Sequence, residues 1–117
     1  MTSVEQFLDE MAGCNKELAA GPMAEYLKAW RGFTSVAHKA DALSRKEKEL
    51  IAVSISLVKR CERCIAYHVR SALALQATRQ EILEACFVAV IMEGGPALAH
   101  IGVVMDAIEA FERSKRT

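Results

Sequence analysis

The chain reads as all-α, a single-domain bundle of about six helices, and three observations carry that expectation. Apolar residues recur at helical spacing along most of its length. No alternating apolar and polar run bounded by turn residues marks a strand. Two serine/threonine capping boxes, Ser44 with Glu47 and Thr78 with Glu81, announce helix starts inside the chain, each hydroxyl and carboxylate being placed to satisfy amide groups that the first turn leaves unpaired. At 117 residues the chain has the size of one domain, residues 1–117, with a core of its own and little surplus, so self-association is an easy way to hide more apolar surface. No internal repeat, low-complexity tract or linker divides it.

Taken in order, a short first helix fits residues 4–13. Gly21-Pro22 then opens a longer one, with Pro22 near the first helical position, where its missing N–H costs nothing. Met23, Tyr26, Leu27, Trp30 and Phe33 form its stripe, and the region reads as structural. After Ser44, the residues Leu50, Ile51, Val53, Ile55, Leu57 and Val58 leave little polar surface, which predicts a central helix buried on most sides. After Thr78, Ile82, Leu83, Ala85, Cys86, Ala89 and Val90 form another apolar face. Gly94-Gly95-Pro96 stops that helix and begins the last, which runs through Phe111 into a tail, residues 112–117, expected to fray.

Composition excludes several function classes. Fifteen basic and fifteen acidic side chains cancel, and the bases are scattered, so there is no electrostatic footprint for nucleic acid. No apolar run approaches the roughly eighteen residues that cross a bilayer. The N-terminal MTSVEQFLDEM carries acids where a secretory signal carries bases, which points to the cytoplasm. Thiols there stay reduced, so the four cysteines are read as redox, metal or core residues and not as a disulfide framework.

The informative stretch is Cys61-Glu62-Arg63-Cys64-Ile65-Ala66-Tyr67-His68. Separations of three and four place both thiols and the imidazole on one helical face. A Cys-x-x-Cys pair can close a small disulfide, and a helix N-terminus or a neighbouring base can activate one of its thiols; His68, one turn after Cys64, is placed to act as that base. Two other readings compete. Both cysteines and the histidine can be core residues. They can also bind zinc, which needs a fourth ligand; Cys86, His38 and His100 are the soft candidates, and none is paired at metal-site spacing. Cys14 and Cys86 read as packed thiols, and Met11, Met23, Met92 and Met105 as core or interface filler. Gly94-Gly95-Pro96 lacks the lysine and strand context of a phosphate-binding loop.

These residues resemble the carboxymuconolactone decarboxylase-like superfamily, and within it the AhpD-like alkyl hydroperoxidases. Their signature is a glutamate, eleven residues, Cys-x-x-Cys, three residues and a histidine, and Glu49, Cys61, Cys64 and His68 match it at every spacing. The likeness extends over residues 43–100, through LSRKEKELIAVSIS, the AL-x-x-x-AT-x-x-EI-x-EA stretch and the Gly-Gly-Pro turn. It implies a cofactor-independent, metal-free thiol peroxidase or disulfide reductase, with a peroxide or disulfide as substrate and a dithiol as reductant. Cys64 would attack peroxide and pass through a sulfenic acid, Cys61 would close the disulfide, and His68 with Glu49 would relay protons. Twelve residues of continuous helix would hold Glu49 about 18 Å from Cys61, so the relay requires the chain to turn back near residues 59–61, where no Gly or Pro stands.

Two departures from the family pattern stand out. Arg63 replaces the histidine that usually precedes the second cysteine, supplying a fixed cation that can favour a thiolate at Cys64. The chain also resembles one unit of the duplicated hydroperoxidases, and single-unit relatives assemble as homotrimers or homohexamers, the state expected here. The alternatives are a non-enzymatic zinc-binding or structural oligomeric module and, third, a lactone decarboxylase, whose branch generally lacks the cysteine pair.

Overall fold

The computed structural model describes residues 2–116. They form six helices: α1 (Ser3–Ala20), α2 (Ala24–His38), α3 (Arg45–Val58), α4 (Glu62–Ala74), α5 (Arg79–Glu93) and α6 (Gly95–Arg116), with no strand among the described residues. Both interior capping boxes are formed, the Ser44 and Thr78 hydroxyls accepting from the Glu47 and Glu81 amides while each carboxylate reaches back to the cap.

Helix α1 runs seven residues past its expected end. Gly13 costs a helix interior only about 1 kcal/mol, while Thr2 and Glu5 form a third capping box and Gly21 closes the far end through its N–H to the Leu18 carbonyl. Pro22 sits in the turn before α2 rather than in its first turn, and Met23 caps that helix. Where the tail is expected to fray, α6 continues through Arg116, with Arg113, Lys115 and Arg116 placing positive charge at the negative end of its dipole; Thr117 lies outside the described residues.

The core forms where α3, α4, α5 and α6 meet. Val53 and Leu57, Ile65 and Val69, Ile82 and Cys86, and Val104 and Ile108 contribute two fully buried side chains from each helix. Each large aliphatic side chain buried this way stabilises the fold by about 1.5–3 kcal/mol. α3 is nevertheless half open, with Ile51 and Ile55 facing outward at 47% and 52% exposure, so it is not covered on most sides as its composition predicts. α1 lies against α4 and α6. α2 packs chiefly on α1 and buries none of its residues. Its stripe is present but uncovered, Tyr26, Trp30 and Phe33 being 60–70% exposed. The radius of gyration, 14.8 Å, reflects that stand-off, since a compact chain of this length has about 13 Å.

The reversal that the relay requires is made between α3 and α4 without glycine. Arg60 adopts a left-handed conformation, φ 53°. The Cys61 N–H then donates to the Ser56 carbonyl and the Arg60 N–H to that of Leu57, the paired bonds of a Schellman ending. α4 ends the same way: Gln76 has φ 71°, Ala77 donates to Ala72 and Gln76 to Leu73. In both turns a polar side chain stands where Gly is usual.

Candidate functional site

Cys61 is the residue that caps α4. Its sulfur accepts the Cys64 backbone N–H at 3.2 Å, so the first sulfur of the motif faces the positive end of the helix dipole. Cys61 and Cys64 are joined by a disulfide, their Cα atoms 5.2 Å apart, and both are half-buried. A helix start supplies amide donors that favour a thiolate over a thiol whenever the pair is reduced.

One turn later, His68 Nδ1 lies 2.8 Å from Glu49 Oε2. Glu49 comes from α3 and is one of two buried polar residues among the described residues, at 5% exposure; the Arg60 turn folds α3 and α4 side by side and brings it there. A neutral His68 donates its Nδ1–H to this carboxylate, leaving Nε2 with a free lone pair. Tyr67 packs edge-on to the His68 ring, with centroids 5.1 Å apart. The structure thus brings all four motif residues, Glu49, Cys61, Cys64 and His68, to the start and first turns of α4 and the facing turn of α3.

A fifth residue joins them. His38, the last residue of α2, places its Nδ1 3.3 Å from Glu49 Oε1, and its ring stands 6.4 Å from that of His68. Sequence reading saw His38 only as a soft metal ligand, because nothing in its distance from the motif marks it. Beside it opens a cleft of about 440 Å³, whose polar lining includes Arg31, Arg45, His38, Glu49 and Tyr67.

Arg63 has a different occupation from the one its position suggests. Its guanidinium pairs with Glu10 at 2.6 Å and lies over the Phe7 ring, so its charge is matched by α1. Cys86 is fully buried, and desolvation pushes its thiol up to about 11, as expected for a packed thiol. Cys14, expected to pack, is exposed, because α1 continues past it with that face outward. Met23, Met92 and Met105 are exposed too, Met92 at 78%, and so do not fill the core of the single chain. Among the described residues no group of three or more His, Cys, Asp or Glu side chains is arranged to hold a metal ion. His100 instead bonds the Pro96 carbonyl of its own helix. No helix among the described residues is long and apolar enough to cross a membrane.

Comparison with known proteins finds matches in both sequence and fold. Residues 24–106 match the model of the carboxymuconolactone decarboxylase family. An uncharacterized protein of the cox locus of Paracoccus denitrificans is 33% identical over 84 residues, 72% of this chain and 76% of its own. The apo crystal structure of a carboxymuconolactone decarboxylase family protein from Legionella pneumophila superposes with a TM-score of 0.88 at 32% identity, covering 92% of this chain and 96% of the other. A Thermotoga maritima protein of the same family, described in connection with the antioxidative response, superposes with a TM-score of 0.76 at 25% identity, over 96% and 97% of the two chains.

Proposed function

This chain belongs to the carboxymuconolactone decarboxylase family, and from that premise we propose that it is an AhpD-like thiol enzyme that reduces hydrogen peroxide, organic hydroperoxides or a disulfide. The observation that carries the reading is a Cys61–Cys64 disulfide at the head of a helix, one turn before an imidazole whose Nδ1 is held by a buried carboxylate. The antioxidative description of the Thermotoga relative supports the same direction.

In the proposed cycle His68 Nε2 takes the Cys64 proton, the thiolate attacks one peroxide oxygen and the O–O bond breaks. The departing alkoxide or hydroxide takes a proton from the His68–Glu49 relay and leaves as alcohol or water, so that Cys64 becomes a sulfenic acid. Cys61 then attacks the Cys64 sulfur, its proton leaves with the hydroxyl as water, and the disulfide forms. Two electrons and two protons from an external dithiol restore both thiols by exchange. The helix start at Cys61 serves this chemistry by stabilising a thiolate, and Glu49 serves it by fixing the His68 tautomer. No cofactor or metal is called for.

The reading includes assembly as a homotrimer or homohexamer in the cytoplasm. Support for assembly comes from the uncovered stripe of α2 and from Phe87, Val88, Ile91 and Met92 on α5, faces that a second copy would bury. Light scattering on the purified protein should give a mass of three or six chains, and Ile91→Lys should reduce it.

Thiol trapping with mass spectrometry tests the chemistry. Reduced protein given stoichiometric peroxide should lose reactivity selectively at Cys61 and Cys64 and regain it with a dithiol. Cys64→Ser should consume no peroxide, and Cys61→Ser should complete a single round without an intramolecular disulfide. Slow or indiscriminate oxidation of all four cysteines would overturn the proposal.

A further inference from the structure

We propose that His38 is a positioning residue for the thiol site: by standing against the second oxygen of Glu49, it confines the carboxylate that orients His68. Its kinetic consequence rests on the thiol-peroxidase reading, whereas the orientation itself rests on geometry alone.

Glu49 is buried, and its two oxygens are divided between two imidazoles, Oε1 to His38 at 3.3 Å and Oε2 to His68 at 2.8 Å. The terminal torsion of a glutamate is broad and roughly two-fold, so a carboxylate held at one oxygen can swing. With His38 Nδ1 standing 3.3 Å from its other oxygen, the carboxylate cannot swing without leaving both imidazoles. His68 then keeps one lasting acceptor for its Nδ1–H, and its Nε2 lone pair stays available. The charged and titratable groups around the carboxylate come from three helices: Arg31 and His38 from α2, Arg45 from α3, and Tyr67 and His68 from α4.

His38 is not required merely to keep α2 in place. Lys48, next to Glu49 on α3, caps the end of α2 by donating to the carbonyls of Ala37 at 2.8 Å and Lys39 at 2.6 Å. Substituting His38 therefore removes the imidazole beside Glu49 while the helix end stays docked.

The test compares His38→Leu, which removes the imidazole, with His38→Asn, which sets an amide N–H near the place of Nδ1. In the reduced protein, imidazole nitrogen chemical shifts report the His68 tautomer with no reference to any activity. His38→Leu should turn a predominantly Nδ1–H ring into a mixture and slow single-turnover oxidation of Cys64 by hydrogen peroxide about 10- to 100-fold, the usual effect of losing an orienting partner one step behind a reacting group. His38→Asn should restore both. An unchanged His68 tautomer in His38→Leu, or no restoration by Asn, would overturn the inference. Failure of the wild-type protein to react with peroxide would overturn the thiol-peroxidase reading instead, and the nitrogen shifts would still judge His38.

Discussion

Replacing Glu49 by glutamine keeps the side chain's shape and removes its charge. A hydrogen bond to a charged group contributes about 1.5–3 kcal/mol and a neutral one about 0.5–1.5 kcal/mol, so the 2.8 Å bond to His68 weakens by about 1 kcal/mol. Expressed in a rate that depends on that bond, this is about fivefold. The amide also offers one acceptor oxygen in place of two, and its NH2 cannot accept the His68 Nδ1–H. If the oxygen turns to His38, His68 must reverse its tautomer, a change that costs serine proteases about 10⁴ in rate. The expected loss in Cys64 oxidation is thus at least about fivefold and larger if the ring reverses. Stability should respond far less. The weakened bond to His68 costs about 1 kcal/mol, offset in part because a charge is no longer buried, and a domain with about 5–15 kcal/mol of stability stays folded. Urea unfolding and stopped-flow oxidation of reduced protein, measured on the same preparation, separate the two. A Glu49→Gln protein that oxidises as fast as wild type would refute the relay, as would one whose lost activity is accounted for by its unfolded fraction.

Four further outcomes are expected. At pH 8 a thiol reagent should label Cys14 in the native protein and reach Cys86, whose burial pushes its thiol to about 11, only after denaturant is added. The backbone amides of Thr2, Ser44 and Thr78, with help from neighbouring side chains, hold the carboxyls of Glu5, Glu47 and Glu81 below the ordinary 4.5. Because the folded state gives up these protons more readily, their contribution is fully present above pH 4.5 and is lost as pH falls through the lowered values, a decline that urea unfolding across that range should register. Ser44→Ala should cost about 1 kcal/mol near neutral pH. At the α3–α4 turn, Arg60→Gly relieves about 1–2 kcal/mol of left-handed strain but adds about 0.5–1 kcal/mol of chain entropy and loses an exposed ion pair to Glu93. It should come out near neutral and clearly more stable than Arg60→Val, whose branched carbon suits that conformation worst; the reverse order in urea would contradict the turn.

How much of this was legible depends on whether a feature has a local chemical signature. Ser44 with Glu47 and Thr78 with Glu81 were readable to the residue, because a capping box is complete within four positions. Cys61, Cys64 and His68 could be set side by side by counting helical turns. Glu49 could be placed opposite them only through the family spacing, since the turn that brings it there uses Arg60 in a conformation that no residue type announces. His38 was out of reach: it arrives across the α2–α3 loop, and no periodicity spans that connection. The stripe on α2 and the open side of α3 show another limit. Periodicity reports that a helix is two-faced but not that its own chain covers the apolar face, and Trp30 and Ile55 are uncovered here.

The three residues joining α3 to α4 also govern what the segment tolerates in length. Each residue added to a helix turns everything beyond it by about 100°. A single insertion or deletion between Glu49 and Cys61 that is absorbed as helix would carry the carboxylate round to another face of α3, while His68 stayed where the Schellman ending put it. The eleven-residue interval is therefore a mechanical gauge: it is the length of chain that makes one reversal and returns an acid to the level of the imidazole. The loop between α2 and α3 is under no such constraint, because Lys48 grips the helix end directly and the chain between can pay out more or less. Inserted residues should therefore be tolerated in that loop and not in residues 50–60.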